Sequence, residues 1–217
     1  DDGNFIFENE EYEKIISQHK GIEKYFKKYM GANELLKGIK RWCLWIDDKN
    51  KDEALSYDLI KERVNAVKNF RLNSDSAFTS KTTKPPYRFI QIQNEPADAL
   101  IIPHVSSNKR KYLTVDYVRR DTVISNLAFA IYNPELYIFG LLSSHMHMLW
   151  LEAVCGRFGE GFRYSSVLCY NTFYFPFIDK EKKNNIEECV LNIINEREKH
   201  PEKTLSELYD PISMPKH

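Results

Sequence analysis

The runs Ala99-Leu100-Ile101-Ile102-Pro103-His104, Tyr112-Leu113-Thr114-Val115-Asp116-Tyr117-Val118 and Ala128-Phe129-Ala130-Ile131-Tyr132 are short, rich in branched and aromatic residues, and separated by turn formers. Runs of that texture and length predict strands. Residues 87–93 and 136–141 share the texture and are predicted as strands too. Between two of them, Ser106-Ser107-Asn108-Lys109-Arg110-Lys111 reads as a polar, cationic hairpin.

On either side the period changes. Residues 10–18 and 22–30 read as helical segments and 34–36 as a short turn, punctuated by Gly21 and Gly31. The dense run Arg41-Trp42-Cys43-Leu44-Trp45-Ile46, ended by Asp47-Asp48, predicts a buried strand. Tyr57, Ile60, Val64, Val67 and Phe70 then recur at three and four residues, the stripe of an amphipathic helix with Lys61, Arg63, Lys68 and Arg71 on its other face. Residues 73–86 have no apolar period and predict a long polar loop. Ser143 or Ser144 can cap a helix over 144–157. A last helix over 183–200 carries Ile186, Val190, Ile193 and Ile194 on one face, and 205–209 adds a turn. The predicted class is α+β, with N-terminal helices, a central, mostly antiparallel sheet and C-terminal helices.

A chain of 217 residues with 42% hydrophobic and 13% aromatic residues can build a core, which argues against disorder. No run approaches the roughly 18 apolar residues of a membrane helix. The acidic opening Asp1-Asp2-Gly3-Asn4 is unlike a secretory n-region, and the start without Met predicts a piece of a longer polypeptide. Cys43, Cys155, Cys169 and Cys189 are widely spaced and are expected to be reduced, mostly buried thiols of a cytosolic protein.

Net charge is zero, yet residues 61–120 hold twelve Lys or Arg against five Asp or Glu, a local net of +7. These cations are interleaved with Tyr87, Phe89, Tyr112, Tyr117 and several Ser and Asn, a mixture suited to phosphates and base edges. The segments with the right residue types are 80–88, 106–112 and Arg119-Arg120. Taken singly, each cation reads better as a phosphate contact or plain surface.

Three motifs suggest chemistry and fail on inspection. Lys84-Pro85-Pro86-Tyr87 is close to the tetrapeptide of amino-methylating DNA enzymes, but Lys84 has no side-chain acceptor for an amino group. His145-Met146-His147 puts two imidazoles two residues apart, on opposite sides of a helix. Glu181-Lys182-Lys183 looks like the tail of a metal-dependent nuclease site without an evident acidic partner. No metal site and no catalytic residues are therefore expected in this chain, and it should read something without performing chemistry.

Several ordered stretches carry a family resemblance. They are Arg41-Trp42-Cys43-Leu44-Trp45, Glu62-Arg63-Val64 with Phe70-Arg71, Ile102-Pro103-His104-Val105-Ser106-Ser107, and Arg110-Lys111-Tyr112. Further on come Phe139-Gly140-Leu141-Leu142-Ser143-Ser144, His145-Met146-His147-Met148-Leu149-Trp150, Arg163-Tyr164-Ser165 and Tyr170-Asn171-Thr172-Phe173. In that order they resemble the target-recognition domain of MmeI-type (type IIG) restriction-modification DNA methyltransferases. Leu205-Ser206-Glu207-Leu208-Tyr209-Asp210-Pro211 with Met214-Pro215 resembles the start of that family's C-terminal helical region.

The resemblance implies a DNA target-recognition domain over 1–178 and the start of a C-terminal helical region over 179–217. The parent would be a bacterial, cytoplasmic type II restriction endonuclease and adenine-N6 methyltransferase. Its S-adenosylmethionine and Mg2+ would act elsewhere in the polypeptide, with no cofactor in this chain. The implied partners are double-stranded DNA and the methyltransferase domain of the same polypeptide, with no membrane. By analogy, base-reading side chains follow the long helix, which nominates Lys81, Lys84, Arg88, Asn108, Lys109, Arg110 and Lys111, beside Arg119 and Arg120. Arg163 and Asn171 either hold an aromatic junction or touch DNA, while Trp42, Trp45, Trp150, Phe173 and Phe175 are expected in the core. The alternative reading is a protein-interaction or scaffolding module whose basic segment docks an acidic partner domain.

Overall fold

A computed structural model of the chain describes residues 1–92 and 95–215. In chain order the elements begin β1 (Ile6–Glu8), α1 (Asn9–Gln18), β2 (Phe26–Met30), α2 (Ala32–Lys37), β3 (Arg41–Leu44), α3 (Lys51–Ala54), α4 (Asp58–Leu72) and α5 (Ala77–Lys81). They continue β4 (Ala99–Pro103), β5 (Val105–Ser106), β6 (Asp116–Val118), β7 (Thr122–Ile124), β8 (Ala128–Tyr132), α6 (Leu136–Leu142), α7 (His145–Val154), β9 (Gly156–Phe158), β10 (Gly161–Arg163), α8 (Lys180–Glu198) and α9 (Leu205–Leu208). The class is α+β. The strands divide among three sheets, in the orders β1-β3-β2-β7, β5-β10-β9 and β6-β4-β8.

The chain forms two compact units, and the first comprises Asp1–Tyr29, Lys40–Glu95 and Asp121–Val123. Its core gathers Phe7 of β1, Tyr12 and Ile15 of α1, Leu44 of β3, and Ile60, Val64 and Val67 of α4. Trp42 stacks on Tyr12 with ring centroids 3.8 Å apart and donates its indole N–H to Asn9 Oδ1 at 3.1 Å. Tyr57, Ile60, Val64 and Val67 of the predicted stripe face this core, whereas Phe70, expected with them, is 37% exposed and the neighbouring Arg71 is buried instead.

The second unit comprises Met30–Ile39, Pro96–Arg120 and the chain from Ile124 onward. Every residue of β4 is buried, and the strand lies between β6 (Ile101↔Asp116) and β8 (Ile101↔Ala130), antiparallel to both. A strand covered on both sides reads as the continuous apolar run seen in the sequence. Helices α6 and α8 pack closely at Gly140, where a Cβ would lie 2.5 Å from Ile186 Cγ2. The Ser144 hydroxyl caps α7, accepting from the His147 N–H at 3.1 Å.

Several expectations are corrected. Residues 22–30 are a 3₁₀ turn (Ile22–Tyr25) running into β2, because Phe26–Tyr29 pair with β3 and tertiary pairing outweighs local helical propensity. Residues 136–141 are helical, since a short apolar run fits either period and Phe139, Leu141 and Leu142 are the buried face of α6. The 73–86 loop contains α5, capped by Ser76, whose hydroxyl accepts from Thr79 N–H at 3.4 Å. Residues 87–92 form no strand, and Gln93, the end of that predicted strand, lies outside the described residues. Only Asp116–Val118 of 112–118 is strand, and 107–115 link β5 to β6 across two different sheets, so the segment is no hairpin. Helix α7 stops at Val154 and a strand pair follows it. Cys155 and Cys169, 5.9 Å apart at Cα, are joined as a disulfide, so the expectation of reduced thiols fails for this pair; of the two free cysteines Cys43 is buried and Cys189 exposed.

Candidate nucleic-acid interface

In the first unit the candidate residues lie on and after α5. Lys81 and Lys84 are exposed. Arg88 is half-buried, its Nη2 2.7 Å from Asp48 Oδ2. The neighbouring Tyr87 hydroxyl donates to Asp48 Oδ1 at 2.7 Å, and this hydrogen bond to the carboxylate raises the Tyr87 pKa. The loop is also held from behind. Arg71, predicted on the solvated face of α4, is instead 1% exposed. Its guanidinium donates to the carbonyls of Thr82 at 3.1 Å, Pro85 at 3.2 Å and, in a short bond, Arg88.

In the second unit the candidates fall on four segments. In the β5–β6 connection Asn108, Lys109 and Lys111 are exposed, and the Lys109 N–H donates to Ser107 Oγ at 3.2 Å. Arg110 turns inward, and its Nη2 donates to Ser206 Oγ of α9 at 2.8 Å. Burial lowers the Arg110 pKa, and the Asp210 carboxylate opposes that shift. Arg119 and Arg120 are exposed beyond the end of β6; the Arg120 N–H donates to Asp98 Oδ1 at 2.9 Å and its Nε lies 3.8 Å from the same oxygen.

Arg163 closes β10, paired opposite Val105 of β5 and Gly156 of β9, with its side chain exposed. Asn171 is exposed and follows the π-helical turn Ser166–Tyr170. Behind them lies the aromatic junction. Phe173 is buried, with its ring edge-on to His147 at 4.5 Å and to Phe175 at 5.0 Å. His145 is exposed and His147 buried, so the two imidazoles diverge as the helical spacing requires.

The β9–β10 hairpin begins at Gly156, inside the stretch whose spacing predicts helix through Arg157. It exposes Arg157, Phe158 and Glu160, and the Arg157 guanidinium sits 4.3 Å from the Phe162 ring centroid. The signal for it was Gly156, Gly159 and Gly161 in close succession, with Gly159 at φ +58 making the turn. At Gly161 a Cβ would meet the Ser106 carbonyl at 2.8 Å, so the approach of β5 to β10 also requires glycine. No group of three His, Cys, Asp or Glu able to hold a metal occurs among the described residues.

The order of these segments, the two-unit fold and the exposed cations can be compared with known proteins. The family model described as "MmeI, target recognition domain" matches residues 1–177. The chain belongs to the MmeI target-recognition family. A second model, "MmeI, C-terminal domain", matches residues 178–217 of this MmeI-family chain. DNA methyltransferase A of Bacillus subtilis (strain 168) is 39% identical over 215 residues, covering 99% of the chain and 24% of that protein. The structure of the type IIL restriction-modification enzyme MmeI in complex with DNA is 37% identical with a TM-score of 0.95, covering 99% of this chain and 29% of that one. The chain thus spans about a quarter of the length of the relatives it matches.

Proposed function

We propose that this MmeI-family chain reads the DNA target of a larger restriction-modification methyltransferase, selecting the sequence on which other parts of the polypeptide act. The observation that carries this reading is the 0.95 TM-score at 37% identity, over 99% of the chain, to an enzyme solved with DNA. Residues 1–178 would be the reader, and 179–217 would begin a C-terminal helical region. The parent would methylate adenine at N6 using S-adenosylmethionine and cleave DNA with Mg2+ in the cytoplasm. Both groups would bind outside this chain, whose Lys84 has no side-chain acceptor for a target amine.

Lys81, Lys84, Lys109, Lys111, Arg119 and Arg163 are exposed cations suited to phosphates and guanine edges, while Asn108 and Asn171 offer amides suited to adenine. Arg88, Arg110 and Arg120 already contact Asp48, Ser206 and Asp98, so their share in the interface is shaping its segments as well as touching DNA. The methyltransferase domain of the same polypeptide would form the opposite wall of the DNA cleft. Sequencing methylated adenines in cells expressing the full-length parent tests the assignment. A single motif that relaxes when Lys109 and Lys111, or Lys81 and Lys84, become Ala supports it, and a motif unchanged in both variants removes these segments from recognition.

A further inference from the structure

Arg71 is a buried cation whose hydrogen bonds, among the described residues, go to carbonyl oxygens alone. Burial lowers its pKa. A buried charge without a counter-charge is costly unless its hydrogen bonds are well made. All three acceptors, Thr82, Pro85 and Arg88, belong to one short stretch, and that stretch carries Lys84 and follows directly on Lys81. On α5, Phe78 is 58% exposed one turn before Lys81, so the helix offers an aromatic ring and a cation on one face. Asp48 holds the far end of the same stretch through Tyr87 and Arg88.

We infer that Arg71 is a positioning residue for DNA recognition: its guanidinium fork fixes residues 82–88 in the shape that presents Lys81 and Lys84, and it acts by geometry and not by charge. The inference rests on the DNA-reading function proposed above. A planar fork with donors on two nitrogens can span three carbonyls, whereas a lysine ammonium places the same charge at one point. Geometry and charge are therefore separable by experiment.

In the full-length polypeptide, Arg71→Lys and Arg71→Met are compared with the native protein at a temperature where circular dichroism shows all three folded. The probes are a short duplex carrying the motif that the parent methylates and the same duplex with each base pair changed in turn. Both variants should lose discrimination at one or more positions by about tenfold, the worth of a well-placed base contact. Amide exchange should quicken in 82–88 and not in β4. Asp48→Asn, on an exposed side chain that does not endanger folding, should give a smaller loss in the same direction. Native discrimination in Arg71→Lys would overturn the inference, as would faster exchange in the loop with discrimination unchanged. The Lys81→Ala/Lys84→Ala double variant distinguishes the underlying reading. If its affinity and salt dependence stay native, the loop does not face DNA and the role of Arg71 falls with it, leaving the DNA-reading function to the other segments; if they drop while the Arg71 variants read as native, only the role of Arg71 falls.

Discussion

The Nε2 of His147 lies 3.3 Å from the hydroxyl of Tyr164, with both side chains buried between α7 and the aromatic junction behind Arg163 and Asn171. No partner for the Nδ1 of His147 is found among the described residues. Burial pushes the His147 pKa down from 6.5 to about 4. The unfolded chain therefore binds a proton where the folded one does not. The resulting stability is intact above pH 6.5 and is lost as pH falls toward 4. The loss should reach on the order of 3 kcal/mol across that interval. Urea denaturation of the 217-residue chain at several pH values should show this slope, and His147→Phe should flatten it. An unchanged slope in the variant would place the titration elsewhere.

Gly140 is where α6 and α8 come closest. A Cβ there would stand 2.5 Å from Ile186 Cγ2 and 3.1 Å from Val190 Cγ2. Gly140→Val should destabilise the chain by about 1–3 kcal/mol through overpacking. Gly156→Ala, with nothing within 4 Å of the added carbon, should stay within about 0.5 kcal/mol of native. Thermal denaturation of the two variants side by side checks the contrast.

The cations of the 107–111 segment should separate into two kinds. Arg110→Ala removes the bond to Ser206 and should lower stability by about 1 kcal/mol. Lys109→Ala and Lys111→Ala should leave the melting temperature native. Each should flatten the log-affinity against log-salt plot for duplex DNA by about one unit if its ammonium meets a phosphate. Salt titrations on the full-length polypeptide, with a melting curve for each variant, read both effects.

Gly161→Ala tests the frame around Arg163. Its new methyl would meet the Ser106 carbonyl at 2.8 Å, a backbone atom that cannot rotate away. We expect the β5–β10 pairing to open, seen as faster amide exchange at Phe162 and Arg163, and target discrimination to weaken with it. Gly156→Ala, on the neighbouring strand but in open space, is the matched control.

Much of this architecture was legible wherever one period dominated. The stripe of Ile60, Val64 and Val67, the Ser144 cap, the long helix α8, the buried run of β4 and the half-buried run of β8 all announce themselves locally. Residues 22–30 and 136–142 do not, because short apolar runs satisfy both periods and only the partner decides: β3 for the first, α8 for the second. The cationic segments of the candidate site were visible as composition, but their division of labour was not. The bonds of Arg71 to 82–88 and of Arg110 to Ser206 join residues that are distant in sequence, and no spacing rule reports them. The β9–β10 hairpin left a trace in its glycines that an over-extended helix concealed.

The central claim is that this chain chooses the DNA sequence on which its parent acts. The most direct measurement transplants residues 1–177 into the matching segment of DNA methyltransferase A of Bacillus subtilis and sequences the methylated bases in DNA of cells expressing the chimera. The account predicts that the methylated motif follows the transplanted residues and matches that of their own parent. A chimera that methylates its host's original motif at native efficiency would contradict it.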